Sequence, residues 1–94
     1  MNDILASPLI VDTPESPLSN SPSYVMSIYW YNPTTIGHEA VVQDENDRDL
    51  AHFKCEAVNQ SQVLRVDRDV VELNVPTLDS GVLYIYIEKF IRGV

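Results

Sequence analysis

Cysteine is almost absent. Cys55 is the one thiol in 94 residues, so no disulfide forms within the chain and a disulfide-stapled extracellular scaffold is excluded. Basic residues are scarce as well: 6 Lys and Arg stand against 14 Asp and Glu, a net charge of -8. A surface of that sign repels nucleic-acid phosphates and anionic membranes, so neither is an expected partner. Long apolar runs are also missing, and nothing approaches the ~20 residues a helix needs to span a bilayer. The opening residues do not make a secretory signal. Asp3 stands where a basic region belongs, and Pro8 interrupts a short apolar patch. Synthesis in the cytoplasm, without a secretory signal, is the expectation.

Catalytic constellations are equally thin. His38 and His52 are the only histidines. His52 and Cys55, three apart on an extended strand, point to opposite faces and cannot grip one metal or act as a nucleophile–base pair. The serines lack a Gly-x-Ser-x-Gly setting and a recognisable base. Cys55 shares its face with Phe53 and Ala57, as a small buried hydrophobe does. The run Asp44-Glu45-Asn46-Asp47-Arg48-Asp49 is the densest oxygen cluster, but it lacks the glycine and the terminal glutamate of an EF-hand loop. It is superficially similar to the Asp-Asn-Asp linker of cadherins. Val66-Asp67-Arg68-Asp69, however, follows after only about 18 residues, too soon for a cadherin repeat. A solvated acidic loop is the expectation and a calcium site the alternative. No enzyme activity, cofactor or metal is expected.

Alternation is what the sequence does have. From Tyr24 the chain reads with period two: Tyr24, Met26, Ile28 and Trp30 fall on one face, Val25, Ser27, Tyr29 and Tyr31 on the other. Residues 50–58 alternate Ala51, Phe53, Cys55 and Ala57 against His52, Lys54 and Glu56. Short strands are expected at residues 40–42, 63–66, 71–75 and 83–91, broken by turns at 32–35, 44–49, 59–61, 67–69 and 76–81. Six or so strands with frequent turn signals define an all-β domain, a small antiparallel sandwich or barrel. With the aliphatic residues turned inward, Tyr29, Tyr31, Tyr84 and Tyr86 point outward on two strands. Outward tyrosines suit a protein or carbohydrate contact, or they brace a sheet face.

The stretch before Tyr24 has a different texture. It holds four of the six prolines and five serines, and no regular strand or helix of any length is expected there. Residues 1–23 are therefore expected to be an extended Pro/Ser-rich arm, and residues 24–94 the β domain. Ile4, Leu5, Leu9, Ile10, Val11 and Leu18 are spaced along the arm like apolar anchors between stiff prolines, which lower the entropy cost of ordering. At ~3.3 Å per residue the arm spans about 75 Å, enough to reach a neighbouring subunit.

The end of the chain resembles immunoglobulin-like domains. Leu73, Asp79, Gly81 and the run Leu83-Tyr84-Ile85-Tyr86 match the inward leucine, Asp-x-Gly corner and aromatic strand of that fold, and Trp30 matches its core tryptophan. Leu83 stands in place of the corner tyrosine and Ile85 in place of the second cysteine, so the resemblance implies an immunoglobulin-like sandwich and no binding residues. Asn32-Pro33-Thr34-Thr35 is similar to the Asn-Pro-Thr-Thr-Gly loop of chagasin-type cysteine protease inhibitors, but Ile36 precedes Gly37 and the family's other two loops have no counterpart.

A small acidic β domain with a long arm and no chemistry resembles a virion component in its architecture. The leading expectation is thus a non-enzymatic structural protein, a phage capsid decoration or minor structural protein. Its partners would be capsid or other assembly subunits, its own copies included, docked through the arm anchors and the four tyrosines. The alternative is a soluble sandwich that binds a carbohydrate or protein ligand on its tyrosine face. A chagasin-like inhibitor ranks third.

Overall fold

The computed structural model describes residues 8–19 and 22–89. Eight strands and no helix lie among them: β1 (Leu9–Val11), β2 (Glu15–Ser19), β3 (Ser23–Tyr31), β4 (Glu39–Gln43), β5 (Asp49–Lys54), β6 (Gln62–Val70), β7 (Leu73–Leu78) and β8 (Val82–Lys89). The long strands β3 and β8 are rich in β-branched and aromatic residues, which suit a pleated surface buried on one side.

The strands form two four-stranded sheets, ordered β1-β8-β3-β6 and β2-β7-β4-β5. All pairings are antiparallel, and β1 pairs with β8, β2 with β7, β3 with β6 and β4 with β5. The chain is thus one long hairpin, closed at residues 44–48, whose successive strand pairs fall alternately into the two sheets. Further pairings, β3 with β8 and β4 with β7, knit each sheet together. This is the eight-stranded, two-sheet order of a jelly roll. An immunoglobulin domain instead keeps its first strand beside its second, in sheets ABED and CFG. Here β1 and β2 lie in different sheets, so the fold is a sandwich whose strand order differs from the expected immunoglobulin-like one.

The core lies between the sheets. Val11, Val25, Ile28, Trp30, Leu83, Ile85 and Ile87 of one sheet meet Ala40, Val42, Phe53, Leu73, Val75 and Leu78 of the other. Trp30 is fully buried, its ring 6.0 Å from that of Phe53 and stacked on it. Its Nε1–H donates to the Ser80 carbonyl at 2.8 Å, so the one polar atom of the indole is satisfied inside the core. Gly81 sits against that contact with φ +75°, and a Cβ there would come within 2.7 Å of the Tyr31 carbonyl oxygen and 2.9 Å of Trp30 Nε1. Only glycine fits both the backbone angle and the space.

Two features depart from the sequence reading. Residues 9–19, expected outside the domain, form strands of both sheets: Val11 is buried, and Leu9 and Leu18 pack on the core. Strands of three and five residues, separated by Pro14 and with Pro17 inside the second, leave no periodic signature, and edge positions tolerate proline because only one side of the strand must pair. The alternation of β3 also changes phase. Val25 pairs with Ile87 but Ser27 with Tyr86, so β3 carries one extra residue, a bulge. Val25, Ile28 and Trp30 therefore point inward, whereas Tyr24 and Met26, expected to share the face of Ile28 and Trp30, are partly exposed.

Smaller differences have similar causes. Ala57 is exposed because β5 ends at Lys54, and Val71, expected inward, lies in an exposed turn. Pro76, expected in a corner, lies within β7 where the register with β4 shifts by a residue, which is where a strand accepts proline.

Candidate functional site

The outer face of the β1-β8-β3-β6 sheet carries Ile10, Tyr31, Val63 and Tyr86 among the exposed large hydrophobics, whereas Ile36, Val58 and Val71 lie in connections. Ile10 pairs with Tyr84, Tyr84 with Tyr29, and Tyr29 with Val63. Directly paired residues share a face, so these four side chains form one row across the whole sheet. Ile10 and Val63, at its two ends, are each 66% exposed. Tyr31 (46% exposed) and its partner Val82 add a second row on one side, and Tyr86 (37% exposed) lies on the other. Three of the rings touch: the Tyr29 centroid is 6.0 Å from both Tyr31 and Tyr84, and Tyr31 and Tyr84 are 6.2 Å apart, edge to face. Such spacings are favourable for aromatic pairs, so the rings hold one another in place.

The row Ile10–Tyr84–Tyr29–Val63 and the pair Tyr31–Val82 carry no formal charge. The first charge lies in the next row, Tyr86–Ser27–Arg65, where Arg65 Nε donates to Asp67 Oδ2 at 2.8 Å; the Tyr24 hydroxyl donates to Asp67 Oδ1 at 3.1 Å. The outer face of the second sheet is polar by contrast. There His52 Nε2 lies 2.8 Å from Glu39 Oε1, near Asp49 and Lys54.

The expected site residues thus divide. Tyr29, Tyr31, Tyr84 and Tyr86 share the outer face, and Ile10 joins them from β1. Leu9, Val11 and Leu18, expected as docking anchors, serve the core of their own domain instead. Ile4 and Leu5 lie outside the described residues. Val63 and Val82 were not expected at the site. Each is an ordinary strand valine in sequence, and only the register places it beside a tyrosine.

The acidic loop turns its oxygens on its own backbone. Asp44 Oδ1 accepts the N–H groups of Asn46 at 2.9 Å and Arg48 at 3.0 Å, and Glu45 Oε1 accepts that of Val71 at 3.0 Å. Among the described residues no group of three or more His, Cys, Asp or Glu is placed to hold a metal ion. Burial alone would raise the Asp44 carboxyl, but the two N–H donors and the charges of Arg48 and Arg68 outweigh it and hold the group below its ordinary value. A carboxylate lowered in the folded state contributes stability that is present above its unfolded value and lost as pH falls through the folded one. Wild-type stability should therefore be level from pH 7 to about 5 and decline below about pH 4. Asp44→Ala should cost about 1 kcal/mol at pH 7 and flatten that decline, as chemical denaturation across the pH range would measure.

His38 Nδ1 and Ser80 Oγ lie 2.8 Å apart, a Ser–His contact the sequence spacing did not suggest. Ser80 Oγ also accepts the Thr34 N–H at 3.1 Å, and Asp79 Oδ2 accepts that of Glu39 at 2.9 Å. The contact thus belongs to a set of bonds that ties the 79–81 corner to the β3–β4 connection. Cys55 is buried, its Sγ 3.3 Å from the Ala57 carbonyl.

No protein-family model matches the chain, and neither a curated protein nor a solved structure is significantly similar to it.

Proposed function

We propose that the protein is a non-enzymatic structural component of a larger assembly, a virion being the leading case, and that it docks through the outer face of its β1-β8-β3-β6 sheet. The single observation behind this reading is the uncharged row Ile10–Tyr84–Tyr29–Val63, its ends exposed and its tyrosines half-buried, on a chain of net charge -8. An uncharged apolar row that crosses a whole sheet face is a candidate contact surface, and tyrosine is among the residues that dominate such contacts. The jelly-roll order is common in capsid subunits, and this supports the virion form of the proposal as analogy of fold alone. The mechanism is multivalent. Many copies each bury a modest apolar face, and the summed contacts stabilise a shell that no single contact would hold. The docking role expected of the arm passes to the face, with Ile10 as the described arm residue that keeps it.

The test is a double variant, Tyr29→Ser with Tyr84→Ser, expressed where the protein is naturally made and followed by gradient sedimentation. Wild-type protein should run with large particles, and the variant should stay at the top of the gradient with its circular dichroism unchanged. Loss of two central tyrosines should weaken the contact by at least about 30-fold. Co-sedimentation of the folded variant at wild-type level would contradict the proposal. Jelly rolls also include lectins, so oligosaccharide that protects the same tyrosines would instead favour the carbohydrate-binding alternative.

A further inference from the structure

We infer that the first occupant of this face is a second copy of the same chain, paired face to face about a two-fold axis that runs along the strands between β8 and β3. The inference rests on the docking reading above and names its partner. A two-fold contact requires a surface complementary to itself. The row Ile10–Tyr84–Tyr29–Val63 meets that requirement, because it reads aliphatic, aromatic, aromatic, aliphatic from either edge of the sheet. Rotation about the proposed axis sets Ile10 against Val63 of the second copy and Tyr84 against Tyr29 of the second copy. Each aliphatic end meets an aliphatic end, and the rings meet rings.

Charge selects the same face. Two chains of net charge -8 repel one another in most orientations. Pairing through the second sheet would bury Glu39, Asp49 and Lys54 in the contact, whereas the tyrosine row brings no carboxylate to its centre. Raising the salt concentration screens the remaining repulsion, so the pairing should tighten with salt. A stable interface buries about 800 Å² on each partner, and a contact centred on four side chains falls short of that, so a weak pairing is expected, with a dissociation constant on the order of 100 µM. Pairing of this strength leaves the chain monomeric when dilute and lets a crowded assembly drive it together.

Adjacent strands lie about 4.8 Å apart, so Ile10 and Val63, three strand spacings from one another, are separated by about 14 Å within one chain and do not meet. They meet only across the proposed axis, and this makes the test specific. Sedimentation equilibrium of the purified full chain, from about 10 µM to 1 mM, should show a reversible monomer–dimer equilibrium that strengthens with salt. Ile10→Glu should weaken it at least about tenfold, since two buried carboxylates are left unpaired. Adding Val63→Lys to Ile10→Glu should restore it to within about threefold of wild type, because each new glutamate then faces a lysine of the other copy. Thermal melts of dilute protein would show that both variants fold.

A chain that stays monomeric at about 1 mM would overturn the inference, as would trimers or a double variant no tighter than Ile10→Glu alone. The two readings fail separately. If purified protein is monomeric while Tyr29→Ser/Tyr84→Ser still leaves the particle fraction, self-pairing falls and the docking face stands. If the pairing and its rescue are seen but particles form without the tyrosines, the assembly proposal falls instead.

Discussion

Removing residues 1–19 is expected to abolish cooperative folding. An arm that merely docked on a neighbour would be dispensable to its own domain, but β1 and β2 are edge strands of the two sheets, paired to β8 and β7. Their deletion takes Val11, Leu9 and Leu18 from the core cluster. Full burial of one such side chain contributes about 1.5–3 kcal/mol. With Val11 buried and Leu9 and Leu18 half-buried, the three together contribute about 3–6 kcal/mol, a large part of the stability of a small domain, about 5–15 kcal/mol. The deletion also bares the edges of β8 and β7 and leaves them free to pair with other chains, so the truncated protein should aggregate as it unfolds. Urea titration followed by far-ultraviolet circular dichroism would measure the loss. A truncated chain with the wild-type midpoint would show that β1 and β2 are attached to the domain rather than part of it. A milder version avoids truncation: Val11→Asp places a carboxylate at a position 2% exposed and should cost more than about 3 kcal/mol.

Trp30→Ala should have an effect of similar size by a different route. The indole is the largest fully buried side chain, stacked on Phe53 and bonded to the Ser80 carbonyl. Truncating a buried tryptophan costs about 3–5 kcal/mol through lost transfer energy and the cavity left behind. For a domain of this length the melting temperature should fall by at least about 12 °C. Trp30→Phe fills part of the cavity but leaves the Ser80 carbonyl without its donor, so a loss of about 1–3 kcal/mol should remain. The pair of variants separates packing from hydrogen bonding. If alanine shifted the transition by less than about 4 °C, Trp30 would not be enclosed between the sheets as described.

How far the sequence revealed this architecture follows from what a period of two can and cannot carry. The inward set Leu83, Ile85 and Ile87 and the outward set Tyr84 and Tyr86 were legible because β8 has no bulge. In β3 the same rule placed Tyr29 outward but put Val25 on the wrong face, since an extra residue between Val25 and Ser27 reverses the phase. A bulge is set by pairing with distant strands and leaves no local mark. The same holds for β1 and β2: Leu9–Val11 is too short to show a period, and Glu15–Ser19 contains a proline. Composition called this region an arm, while tertiary contact with β8 and β7 makes it sheet. Of the candidate site, the tyrosines were visible as outward aromatics. That Ile10 and Val63 complete their row is a matter of register between segments distant in sequence, Ile10 with Tyr84 and Val63 with Tyr29, which no alternation rule specifies.

The face itself is open to one direct measurement. Tyrosine nitration followed by peptide mapping compares the dilute chain with the particle fraction that contains it. If the β1-β8-β3-β6 face is the docking surface, Tyr29, Tyr31 and Tyr84 should react in the dilute chain and be strongly protected in the particle. Equal reactivity of these three rings in both states would contradict the account, because a face still open to reagent in the assembly is not what holds the assembly together.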